Sequence, residues 1–167
     1  MTGLIQRLTN WRAVGVLAAL YALVFGSILI SMGQLAELSG GMPILDFEPG
    51  YDIARVREVF TAYGPDGMRL YGRMQTLDLI NPAISSLLAA ALTAMLWPRR
   101  QWVALLPLLA ALGDYAENIT LYLLARGFPD LPEGLVAVSS TLSLVKLALM
   151  AVGFAPLLIG LVLRLRR

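Results

Sequence analysis

Four stretches of this 167-residue chain stay apolar for about twenty residues or more, and that feature limits the fold more than any other. They cover residues 13–32, 76–97, 102–125 and 135–163. A bilayer core about 30 Å thick takes about 20 helical residues. Inside lipid the backbone must satisfy its own hydrogen bonds, which leaves helices. Composition agrees, with 58% of residues hydrophobic and 14% charged, where a soluble domain carries about 25% charged. The expectation is an all-α fold, a single integral membrane domain over residues 1–167, built as a four-transmembrane-helix bundle. The first stretch follows Arg7 and Arg12 but exceeds the roughly 7–15 apolar residues of a signal peptide and lacks an A-x-A site, so it is expected to be retained.

The short loops give an expected orientation. Arg7 and Arg12 precede the first stretch, Arg99 and Arg100 separate the second from the third, and Arg164, Arg166 and Arg167 close the chain. In a four-pass topology these places share one side, and arginine in short loops marks the cytoplasm. Both termini are therefore expected to be cytoplasmic. The loop "GFPDLPEG" is acidic apart from the flanking Arg126, which suits the outer side. The outer segment, residues 33–75, carries Arg55, Arg57, Arg69 and Arg73 against this trend. It opens with the turn-rich "LSGGMPILDFEPG". Ile53, Val56, Val59, Phe60 and Tyr63 then follow at helical spacing, with Asp52 as N-cap. This predicts a short amphipathic extracytoplasmic helix between helices 1 and 2, lying in the interface or covering the bundle mouth.

The third stretch carries Asp114, Glu117 and Asn118 near its middle. At 100° per residue these share a helix face with Leu121. Tyr71, Gln75, Asp78, Asn81, Pro82 and Ser85 share a face of the second helix, and Ser139, Ser143, Lys146, Met150 and Gly153 a face of the fourth. Charged groups avoid lipid, so the three polar stripes are expected to face one another. Depth agrees. Measured from the cytoplasmic ends at about 1.5 Å per residue, Asp114 lies roughly 18 Å up, Asn81 roughly 24 Å and Lys146 roughly 27 Å, one layer in the outer half of the membrane. Three carboxylates (Asp78, Asp114, Glu117) then stand against one ammonium, Lys146. Either one or two carboxyls carry protons, or a cation or cationic ligand completes the charge.

The chemical menu is narrow. The chain has no cysteine and no histidine, which removes thiol nucleophiles, histidine-ligated metals, haem and Ser-His-Asp triads. No cofactor and no metal site is called for. A net charge of +2 without a basic patch gives no footprint for nucleic acid. Each polar feature also has a structural reading. The Lys146–carboxylate pair can fix helix register, and Asn81 and Asn118 can hydrogen-bond between helices. Pro82 can kink its helix, and Arg69 and Arg73 can anchor at the headgroups. Ser139 and Ser143 share the Lys146 face and form a weak echo of a Ser–Lys dyad. Ala18, Ala22 and Gly26, like Ser86, Ala90 and Ala94, repeat at four-residue spacing and suit close helix packing.

The set Gly72-Arg73, Asp78, Pro82, Asp114-Tyr115, Glu117-Asn118 and Lys146 resembles a group of small four-helix bacterial integral membrane proteins. The resemblance implies a multi-pass protein of the bacterial inner (cytoplasmic) membrane and supplies no activity. Three functions are open at this point. The first is an outward-opening intramembrane polar site for a small amphipathic or lipid-like ligand. Asp78, Asp114, Glu117 and Lys146 would be its acid–base groups, Tyr71, Gln75, Asn81, Asn118, Ser139 and Ser143 its ligand-binding groups, and residues 52–63 its lid. The second is an accessory or assembly subunit with a structural ion-pair cluster. The third is a proton- or ion-coupled transporter, which four helices could form only as a homo-oligomer. Membrane lipid is the expected surrounding partner in all three.

Overall fold

The computed structural model describes residues 7–166 and is helical throughout, with no strand among the described residues. Helix α1 spans Trp11–Leu38. Its first turn is capped by Asn10, whose Oδ1 accepts from the Ala13 amide at 2.9 Å, satisfying one of the donors a helix start leaves open. The helix passes the expected end at residue 32 and stops at Ser39, followed by Gly40 and Gly41 with φ of 68° and 90°. Helix α2 spans Ile53–Asp78, with Asp52 as its N-cap, accepting from the Arg55 amide at 2.8 Å. Gly64, at φ 62°, breaks it into residues 53–63 and 65–78. A side chain there would be strained, so "GP" divides the amphipathic helix from the run into the second apolar stretch.

That second stretch is not one uninterrupted helix. α2 ends at Asp78, Leu79 and Ile80 form a turn, and α3 spans Asn81–Leu96. Pro82 sits in the first turn of α3, where a missing amide hydrogen breaks no helical bond. α4 spans Leu106–Gly127 and α5 spans Glu133–Leu165. Residues 101–105 form a separate 3₁₀ turn, so the third helix starts four residues later than its apolar stretch. Three helical runs are long and apolar enough to cross a membrane: Trp11–Leu38, Ile53–Leu96 taken as one, and Glu133–Leu165. α4 is not among them, because Asp114, Glu117 and Asn118 stand in its middle.

Two kinds of packing hold the helices. At the end where the 39–52 loop lies, a core of large side chains joins Leu35, Leu45, Val59, Phe60, Tyr71 and Leu121. The expected apolar face of residues 53–63 is inside it, with Val56, Val59, Phe60 and Tyr63 buried. Towards the other end small residues dominate the contacts. A Cβ added to Gly153 would lie 2.8 Å from Ala110 Cβ and 3.0 Å from the Leu106 carbonyl. α4 and α5 therefore touch nearly backbone to backbone. α1 packs on α2 and α3, and α3 on α4. The outward faces are apolar, with Leu23, Ile30, Leu112, Val152 and Leu158 among the exposed side chains. This is the reverse of a soluble surface and the pattern lipid favours.

Candidate functional site

The close α4–α5 contact brings Glu117 and Lys146 together. Glu117 is fully buried and Lys146 is 7% exposed. Lys146 Nζ forms an ion pair with Glu117 Oε2 and lies 3.8 Å from Asp114 Oδ1. It also donates to the backbone carbonyl of Asp46 at 3.4 Å. Much of each stripe read from the sequence turns inward: Tyr71, Gln75 and Pro82, Glu117, Asn118 and Leu121 on α4, and Ser139, Ser143, Lys146 and Gly153 on α5 are buried, while Asp78, Asn81, Ser85, Asp114 and Met150 are half-buried. Asn118 Nδ2 donates to the Asp78 carbonyl at 3.0 Å, which ties α4 to the turn where α2 gives way to α3. Asp78 is half-buried and makes no ion pair among the described residues. Arg73 is exposed, and Arg69 pairs with Asp66 one turn away on the same helix.

Asp46, Tyr51 and Thr120 were not picked out from the sequence, and all three join the cluster. Asp46 is 8% exposed. Tyr71 and Gln75 both donate to its carboxylate at 3.3 Å, and Gln75 Nε2 also reaches the Tyr71 hydroxyl at 2.8 Å. Tyr51 OH lies 2.7 Å from Ser139 Oγ, which is 2.8 Å from Thr120 Oγ1, itself 2.7 Å from the Glu117 carbonyl. A chain of hydroxyls thus runs from the loop to the backbone beside the ion pair. Ser143 donates to the Ser139 carbonyl at 3.2 Å. Both serines are engaged elsewhere, and no Ser–Lys hydrogen bond occurs among the described residues. The residues directly over Lys146 are those of the 43–51 loop. Helix residues 53–63, expected as the cover, pack behind that loop through Phe60 and Tyr63, and Tyr63 OH donates to the Pro43 carbonyl at 3.2 Å.

The electrostatic balance is lopsided. Four carboxyls, Asp46, Asp78, Asp114 and Glu117, lie around a single ammonium. In the loop outside the expected spans, burial pushes the Asp46 carboxyl above its ordinary range, although the charge of Lys146 and bonds from Gln75 and Tyr71 pull the other way. Nearby Glu48 is held below its ordinary value, chiefly by its hydrogen bonds from Arg55 at 2.5 and 2.7 Å. Six buried side-chain oxygens among the described residues have no hydrogen-bond partner: Gln75 Oε1, Asn81 Oδ1, Asn118 Oδ1, both Glu117 oxygens, of which Oε2 has its ion pair with Lys146, and Thr93 Oγ1 further along α3. No three carboxylates among the described residues converge to hold a metal ion.

Of two clefts, one borders the cluster and the other is remote from it. The first, of about 300 Å³, is lined by Glu48, Tyr51, Asp52 and Arg55, at the end of the bundle where the 39–52 loop lies. The other, of about 710 Å³, lies at the opposite end of the bundle around Trp97, Arg99, Arg100 and Arg164. No family model, curated protein or solved structure matches the chain. The chemistry of the cluster must therefore speak for itself.

Proposed function

We propose that this chain is an integral membrane protein that binds a small amphipathic, lipid-like ligand in its intramembrane polar cluster, through a head that donates hydrogen bonds. The observation that carries the proposal is the set of orphan acceptors on Gln75, Asn81, Glu117 and Asn118. A buried acceptor without a donor is costly, about 1–3 kcal/mol each. A ligand head bearing N–H or O–H groups would relieve that cost. Four carboxyls against one lysine favour a cationic head, and the apolar helix faces suit its hydrocarbon tail. Entry is from the outer side, with both termini in the cytoplasm, past Tyr51 and the 43–51 loop, which must lift to admit the head. Asp78 and Asp114 are the acid–base groups available to a bound head, with Lys146 and Glu117 holding the site's charge.

The test uses the purified full chain in neutral detergent. Dodecylammonium and dodecanoate share a tail and differ in the head. Dodecylammonium should raise the melting temperature in a saturable way, and dodecanoate should not. Glu117→Gln should abolish the shift. Equal shifts from both probes, or a shift that survives Glu117→Gln, would rule out a cation-reading site. The competing reading is an accessory subunit whose cluster only fixes helix register. It is favoured by the full burial of Glu117, Gln75 and Asn118, and absence of any head-specific shift would support it.

A further inference from the structure

The cleft at the far end of the bundle has a different chemistry. Its floor is apolar, formed by Met95, Leu96, Trp97 and Leu163, and its rim carries Arg99, Arg100 and Arg164. No acidic side chain lines it. All three arginines are exposed, and none makes an ion pair or side-chain hydrogen bond among the described residues. The C-terminal ends of α3 and α5 meet here. Two helix C-termini bring about half a negative charge each, so three guanidiniums leave a clear positive excess.

The floor is built, not incidental. Trp97 Nε1 donates to the Pro156 carbonyl at 3.0 Å, pinning the end of α3 against α5. Gly160 makes the approach possible, since a Cβ there would lie 2.9 Å from Trp97 Nε1 and 3.1 Å from Leu96 Cβ. The cleft lies at the ends of the apolar runs of α3 and α5, which is the level of a lipid's phosphate if those runs cross a membrane. We infer that it is a binding site for a diacyl phospholipid with an anionic headgroup. The positive charge of the three arginines takes the anionic headgroup, and the apolar floor takes the start of the acyl chains. Basic pockets between membrane helices bind lipid headgroups in this way. The site is separate from the polar cluster and does not depend on its function.

The experiment uses the full chain with Trp11→Phe and Trp102→Phe, leaving Trp97 as the sole tryptophan. Brominated phosphatidylglycerol and brominated phosphatidylcholine are titrated in neutral detergent, and quenching of Trp97 is read. Phosphatidylglycerol should bind at least about tenfold more tightly. Each Arg→Gln change at 99, 100 or 164 should weaken it about fivefold, the equivalent of about 1 kcal/mol. The triple Arg→Lys variant should keep most of the preference, which separates loss of charge from loss of fold. Arg73→Gln, roughly 35 Å away along the helices, should change nothing. Equal quenching by the two lipids, a preference that persists in the triple Gln variant, or an equal loss in Arg73→Gln would overturn the inference. So would displacement by inorganic phosphate at lipid-equivalent concentration, because the site would then read a free anion and not a lipid.

Discussion

Replacing Lys146 should harm the protein more than replacing its closest partner. Lys146 touches three groups from two elements: Glu117 and Asp114 on α4, and the Asp46 carbonyl in the loop. Lys146→Met strands Glu117, which is fully buried and already has one carboxylate oxygen without a partner. Breaking a buried pair from one side costs about 3–5 kcal/mol. Glu117→Gln is gentler, because Lys146 keeps Asp114 at 3.8 Å and the Asp46 carbonyl at 3.4 Å. Its expected loss is about 1–3 kcal/mol, the scale of one weakened buried hydrogen bond. Lys146→Met with Glu117→Gln removes both charges, so the double variant should lose less than the sum of the singles, with a coupling of about 1–3 kcal/mol. Asp114→Asn should couple more weakly to Lys146, by less than about 1 kcal/mol, since that pair is longer and partly exposed. Unfolding followed by circular dichroism in a mixed neutral and denaturing detergent gives the four-corner cycle. Additivity within about 0.5 kcal/mol would refute the reasoning, and would mean that Lys146 finds water when Glu117 is gone.

Three further outcomes follow from the geometry. Gly153→Ala should cost about 1–3 kcal/mol, because its Cβ meets the Leu106 carbonyl and Ala110 at 3.0 and 2.8 Å. Gly113→Ala, whose nearest contact is the movable Leu149 Cδ1, should cost less in the same unfolding assay. The 43–51 loop should dock more firmly in acid: burial raises the Asp46 carboxyl, so its contribution is complete below the unfolded value near about pH 4 and fades as pH rises through the folded value. Amide exchange across 43–51, corrected for intrinsic rates, should quicken with pH in the wild type and much less in Asp46→Asn. Reporter fusions after Pro98 and at the C-terminus should both give cytoplasmic signals, and a periplasmic signal at either would invert the proposed orientation.

The helices and the inward stripes could be read from the sequence because both depend on local periodicity. Apolar length marks α1 and α5, and the three- and four-residue spacing of Glu117, Asn118 and Leu121 fixes which face of α4 is buried. The break between Asp78 and Asn81 was half visible: Pro82 announces a perturbation, but a proline that opens a new helix and one that bends an old helix look alike in a sequence. Asp46 was hidden for a different reason. It lies in a Gly- and Pro-rich stretch with no period, where burial depends on how the loop folds back across a hundred residues of chain to reach Lys146. The one available signal was its flanks, Leu45 on one side and Phe47 on the other, an acid among apolar residues in an otherwise turn-forming stretch. Its position changes the logic of the cluster. With helix groups alone, the acids and the lysine form a sealed clamp between helices. With Asp46 present, the same lysine that pairs with Glu117 also holds the loop, while Tyr71 and Gln75 hold the loop's carboxylate. Charge on a head bound beside Glu117 would compete with Lys146 for that carboxylate and loosen the ammonium's grip on the Asp46 carbonyl. On the proposed reading, ligand binding and loop position would be linked through Lys146. A ligand that shifts stability in the wild type should accordingly lose its effect on loop exchange in Lys146→Met, even where that variant still folds.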